Sequence, residues 1–111
     1  MRARVTTTHR APNRPPLRLR RDDPVLLADR DDAWPQFVWT QLGTVGGRVP
    51  AALFDAERGS ATALEAYDTT ELDVDPGRIV TLHRELADWW RVEDAVGAQG
   101  WVPSRLLQIP D

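Results

Sequence analysis

Apolar and polar positions in this 111-residue chain alternate over short stretches, and the alternation is written twice. Leu17, Leu19, Val25, Leu27 and Trp34 recur 55 positions later as Leu72, Val74, Val80, Leu82 and Trp89. Past the tryptophan the offset falls to 53, so that Gly47, Val49, Pro50 and Leu53 meet Gly100, Val102, Pro103 and Leu106. The first copy accommodates the two extra residues as Pro35 and Gln36. Internal periodicity of this kind is settled before individual elements are assigned, and it indicates two copies of one module.

The most informative stretch is Gly100-Trp101-Val102-Pro103-Ser104-Arg105-Leu106-Leu107. An aromatic–aliphatic pair on alternating faces predicts a short strand, and Pro103, with no backbone donor and a fixed φ, ends it. Ser104 to Leu106 then has room for one 3₁₀ turn before Leu107 and Ile109 restart an extended segment. The first copy repeats the device at Val49-Pro50-Ala51-Ala52-Leu53. Strand, helical turn and strand in so few residues predict a small barrel turning a corner.

Taken in order, residues 2–8 predict a first strand with Val5 inward. The segment His9-Arg10-Ala11-Pro12-Asn13-Arg14-Pro15-Pro16 predicts a long extended loop, since its prolines forbid regular pairing. Leu17 and Leu19, alternating with Arg18 and Arg20, form its returning arm. Strands are expected at 25–28 and 37–41, the latter with Phe37 and Trp39 on one side, joined to Val49 by a glycine-rich hairpin. In the second copy, 63–67 is the first strand, 72–74 the returning arm, Asp75-Pro76-Gly77 a turn needing φ > 0 at the glycine, and 78–83 and 89–93 strands. Residues 51–58 alone suggest a helix, but Gly59 and the repeat restrict it to a turn. Residues 55–62 are the expected linker, short enough to keep the modules close. The predicted domains are therefore 1–56, with the long Pro/Arg-rich loop, and 62–111.

Composition narrows the function classes. There is no cysteine, so neither a disulfide nor a thiol site is available. The N-terminal residues lack an apolar core of a leader, and no run approaches the length of a membrane span, so a cytoplasmic protein is expected. All 14 basic residues are arginine, and seven precede Asp22 with no acid among them, while the other 90 residues carry a net −10 within a total of −3. The basic beginning invites nucleic acid, but the acidic remainder repels phosphate, which leaves that reading third.

The residues 63–68, Glu71-Leu72, Pro76-Gly77, Trp89-Trp90 and Gly100-Trp101-Val102-Pro103-Ser104 resemble an SH3 domain over about 62–110. The first copy resembles a more divergent one over roughly 2–55, and together they are similar to the tandem variant-SH3 proteins of bacteria. The resemblance implies an all-β fold of two closely packed, five-stranded barrels, each with a 3₁₀ turn before its last strand. It also implies a groove for proline-containing peptides. Carried over residue by residue, Tyr67, Trp89 and Pro103 match groove positions, Glu65 and Leu106 replace aromatics, and Trp34 and Pro50, with Leu53 at the 3₁₀ position, match in the first copy. Asp68, Glu71, Glu85 and Asp88 would attract an Arg or Lys of the ligand, with Asp31 and Asp32 beside Trp34 as a poorer version. A preordered polyproline ligand loses little entropy on docking, yet with so few aromatics the affinity expected is about micromolar or weaker, roughly −8 kcal/mol at best. Trp39 and Trp90 are expected inside the barrels, and Trp34 and Trp89 on the grooves.

Chemistry other than binding has little support. His9 and His83 fall in different copies without a nucleophile near either, and lone histidines of this kind are usually surface residues. Asp29-Arg30-Asp31-Asp32 lacks the spacing and glycine of a calcium loop. No catalytic residue, metal or cofactor is predicted. The expected partner is a protein or peptide, proline-containing or basic, and the Pro12–Pro16 stretch, with Pro-x-x-Pro spacing and flanking Arg10 and Arg14, offers a self-associating ligand. A structural or dimerisation scaffold with no groove in use is the alternative.

Overall fold

The computed structural model describes residues 1–30 and 32–110. Its elements are β1 (Arg2–Val5), β2 (Arg18–Leu19), β3 (Pro24–Arg30), β4 (Phe37–Leu42), β5 (Val45–Pro50), the 3₁₀ turn η1 (Ala51–Leu53), β6 (Gly59–Thr62), β7 (Tyr67–Asp68), β8 (Ile79–Leu86), β9 (Trp89–Glu93), β10 (Gln99–Pro103), η2 (Ser104–Leu106) and β11 (Leu107–Gln108). The fold is all-β, with no α-helix among the described residues. Both 3₁₀ turns begin directly after the corner prolines, Pro50 and Pro103, as their missing donors require.

The chain divides into two compact units, one of Met1–Asn13 with Thr70–Asp111 and one of Arg14–Thr69. The contiguous division into 1–56 and 62–111 expected from the sequence differs from this one, and strand pairing explains why. In the first unit the sheet order is β10-β9-β8-β1-β11, so the chain's first strand lies between strands of the second copy. Ala3 faces Val80 and Val5 faces Leu107. In the second unit the order is β5-β4-β3-β6, with Val25 facing Ala61. The chain's first strand thus joins the sheet of residues 79–108, and the strand that joins β3 is β6 at 59–62, just before the strand expected at 63–67.

Residues 55–62 are consequently not a linker. Asp55 turns the chain back on itself, its backbone N–H donating to Thr62 O and its Oδ1 accepting from Thr62 N at 2.7 Å. Gly59, at φ +72, begins β6. Between them they make a hairpin that delivers β6 to β3.

Alternation decides what is inside. Ala3, Val5, Val74, Val80, Leu82, Val92 and Val102 form the core of the first unit, with Trp90 packed at its margin. In the second unit Leu17, Leu19, Val38, Val49 and Leu53 are buried while Arg18 and Arg20 face out, as the alternation predicts. Trp39 departs from expectation, being 41% exposed. Val38 and Thr40 occupy the inward positions of β4, and the Thr40 hydroxyl is satisfied by donating to Leu26 O at 2.9 Å. The Trp39 ring lies across Gly46 on the outside, where a Cβ would come within 2.4 Å of it. Trp101, by contrast, is buried, so β10 is covered on both faces.

Candidate functional site

Construction of the site in the first unit begins at Gly100. A Cβ there would lie 2.9 Å from the backbone of Glu71 and Leu72, so only glycine lets the returning arm rest on β10. The approach is fixed by Trp101 N–H donating to Thr70 O and Leu72 N–H donating to Trp101 O, at 2.9 and 3.2 Å. Glu71 is thereby held above β10. On the other side His9 pairs with Val74 through two backbone hydrogen bonds of 3.0 Å.

These two backbones bring three side chains together. His9 Nε2 lies 2.8 Å from Glu71 Oε1, and the His9 ring meets Trp89 edge to face with centroids 5.7 Å apart. The His9 and Glu71 side chains are only 17% and 19% exposed, so the contact is sheltered from water. Trp89 starts β9 opposite Pro103, the residue that ends β10. The sequence reading treats His9 as a surface residue and misses it here. Its signal lies in the register: His9 is bridged to Val74 as Tyr67 is paired with Leu19, and Val74 and Leu19 are mates in the 55-residue repeat. Histidine thus occupies the position in this unit that Tyr67 holds in the other.

The turn beside Trp89 is tight. β8 and β9 are joined by Ala87 and Asp88 alone, both in the left-handed region at φ 53 and 67, the form that two-residue hairpins favour but that costs a non-glycine residue energy. The turn is tied to η2, since Ser104 N–H donates to Asp88 O at 2.9 Å and the Ser104 hydroxyl bonds Glu85 Oε2 at 3.0 Å. Glu71 is thus engaged by His9 and Glu85 by Ser104, while Asp88 ties the turn to η2 through its backbone carbonyl. Pro103, opposite Trp89, and Leu106 are buried, and Leu106 O accepts from both the N–H and the hydroxyl of Thr6.

The remaining predicted site residues lie in the second unit. Tyr67 pairs with Leu19 and Asp68 with Arg18. Trp34, 37% exposed, meets Phe37 edge to face at 6.1 Å, and Pro50 faces Phe37 across the ladder and is fully buried. Asp31 lies outside the described residues. Arg10, which flanks the Pro12–Pro16 stretch, pairs with Asp75 at 2.6 Å. The hydrogen bond and charge of that carboxylate hold the guanidinium above its ordinary pKa. No group of three or more metal-ligating side chains occurs among the described residues, and no helix is long and apolar enough to cross a membrane.

Residues 65–108 match the family model of the bacterial SH3 domain. The match supports a bacterial SH3 domain in that stretch, and SH3 domains are in general non-catalytic modules that bind protein or peptide partners. It spans the returning arm, β8 to β10, η2 and β11, whereas the strand that completes this sheet comes from Arg2–Val5. No curated protein and no solved structure matches the chain at a significant level.

Proposed function

We propose that the unit of Met1–Asn13 and Thr70–Asp111 is an SH3-like barrel that recognises a short extended peptide carrying a basic residue beside proline. The observation that carries this reading is the sheltered corner made by His9, Glu71 and Trp89. An aromatic wall suits the flat faces of a polyproline helix, and the carboxylates of Glu71, Glu85 and Asp88 suit a guanidinium or ammonium. With one tryptophan and one histidine in place of a wider aromatic row, affinity in the range of about micromolar or weaker follows. The unit Arg14–Thr69, built on the same repeat, is proposed as a second SH3-like barrel, with Trp34 and Tyr67 as its exposed or half-buried aromatics and Asp68 nearest them in sequence.

A scaffold with no groove in use is the second reading. It draws on the burial of Pro50, Pro103 and Leu106 and on the engagement of Glu85 by Ser104, which reduce the contact surface. Titrating the full chain with a proline-rich peptide containing arginine, and following the Trp89 indole signal, separates the two. A saturable shift lost in Trp89→Ala supports recognition; an unmoved signal at millimolar peptide favours the scaffold. Nucleic-acid binding through the N-terminal arginines, the third reading, would show itself by a steep loss of affinity with added salt.

A further inference from the structure

The outward face of the first unit's sheet holds a feature that the peptide reading does not use. A cleft of about 550 Å³ is lined by Arg2, Arg4, Ile79, Gln108, Ile109 and Pro110, together with Ala3. Its size falls within the range of sites that take small molecules. Arg2 and Arg4 alternate with the buried Ala3 and Val5 on β1, so both point to the same outer face, roughly 6.6 Å apart along the strand. Arg4 is flanked across the ladder by Ile79, 44% exposed, on one side and by the Gln108 position on the other.

Neither arginine side chain makes an ion pair or hydrogen bond with any described residue. This contrasts with Arg10, a few residues on, which is paired with Asp75. In a chain of net charge −3, two cations left together against an isoleucine, a second isoleucine and a proline form a charge-complementary seat for an anion with an apolar body. Guanidinium groups bind planar carboxylates through paired hydrogen bonds, and the Gln108 amide can add a donor. A singly charged head suits lining that is otherwise apolar better than a phosphate dianion, whose desolvation costs more.

We infer that this cleft binds a small carboxylate carrying an aliphatic or aromatic body, its head between Arg2 and Arg4 and its apolar part on Ile79, Ile109 and Pro110. The site is separate from the Trp89 corner and stands or falls independently of it.

Titration of the ¹⁵N-labelled full chain with sodium decanoate, below its micelle concentration, tests the inference. Saturable shifts are expected at the amides of Ala3, Ile79 and Gln108, with a Kd of about millimolar or below. The double variant Arg2→Gln with Arg4→Gln alters exposed side chains and leaves the dispersed Val92 and Val102 signals in place; it should weaken decanoate by about tenfold or more. Ile79→Ser should weaken decanoate and 1-decanol alike. Decanol binding as tightly as decanoate, or decanoate shifts that persist in the arginine variant, would overturn the proposal. Tighter binding of decyl phosphate would overturn the choice of carboxylate, and equal binding of decyltrimethylammonium would reduce the effect to detergent-like adsorption.

Discussion

His9 and Trp89, eighty positions apart in sequence, meet ring edge to ring face with their planes at 78°, and Glu71 fixes the imidazole from the far side at 2.8 Å. An aromatic pair of this geometry contributes about 0.5–1.5 kcal/mol beyond its buried area. His9→Ala should therefore lower the unfolding free energy of the first unit by about 1–2 kcal/mol once the lost Glu71 contact is included. His9→Phe should restore the ring contact but leave Glu71 without its partner, recovering part of the loss. Urea unfolding followed by Trp fluorescence gives both numbers. A change below a few tenths of a kcal/mol in His9→Ala would show that the contact is incidental.

Gly100 and Gly47 are mates in the repeat, yet the structure predicts opposite tolerances. A Cβ at Gly100 would press on the backbone of Glu71 and Leu72 at 2.9 Å, and backbone cannot step aside as a side chain can. At Gly47 the nearest neighbour is the Leu17 Cβ at 3.5 Å, ordinary contact distance. Gly100→Ala should destabilise by about 1–3 kcal/mol, the range of overpacking in a tight interior. Gly47→Ala should be neutral or gain up to about 0.5–1 kcal/mol from reduced freedom of the unfolded chain. Thermal melts of the two variants side by side decide the matter, and equal losses would refute the distinction.

Much of the fold was legible because its signals are local. Pro50 and Pro103 announce the 3₁₀ corners, Gly77 its turn at φ 88, and the alternation of leucine with arginine at 17–20 the returning arm. Local signals do not say which copy of an edge a strand pairs with. The small inward residues Ala3 and Val5 resemble Ala61 and Ala63, so composition does not distinguish their partner edges, and adjacency in sequence assigns each to the residues that follow it. The placement of His9 against Val74 and Trp89 is therefore visible only in the pairing. Trp39 differs for another reason: its size predicts burial, while Thr40, able to satisfy its hydroxyl on Leu26 O, takes the inward position. At Trp89, Glu71, Glu85 and Asp88 the family resemblance put together residues that the structure also gathers in one unit.

The Ala87–Asp88 turn stores a small conformational cost beside Trp89. Each non-glycine residue in the left-handed region costs roughly 1 kcal/mol, offset in part by the better match of this turn to strand twist. Ala87→Gly should relieve most of its share and raise the melting temperature by a few degrees, since about 1 kcal/mol corresponds to ~4–8 °C in a domain of this size. The Ser104–Asp88 and Ser104–Glu85 bonds should survive, because neither uses the Ala87 side chain. Destabilisation by the glycine would mean that the turn is not held as described. Any effect on peptide titration would report on how rigidly the turn holds Trp89.

The placement of the first strand makes a prediction that contiguous domains would not. β1 lies between β8 and β11 and buries Ala3 and Val5 to 2% and 1% exposure, so its removal opens two strand edges and uncovers the core valines facing it. Burial of a valine side chain alone contributes about 1.5–3 kcal/mol, a large fraction of what a unit this small can have in hand. A chain of residues 14–111 should therefore lose the dispersed methyl signals of Val80, Val92 and Val102 while retaining those of Val38 and Val49. Residues 62–111 alone, which contain the whole of the family match, should be unfolded in water despite it. Adding a peptide of residues 1–13 to the 14–111 chain should restore the first set of signals, with Arg2→Pro in the peptide as a weaker donor because it removes a backbone N–H from β1. A dispersed, cooperatively melting spectrum from 62–111 by itself would mean that the second copy closes its own sheet, and the placement of His9 against Trp89 would fall with that result.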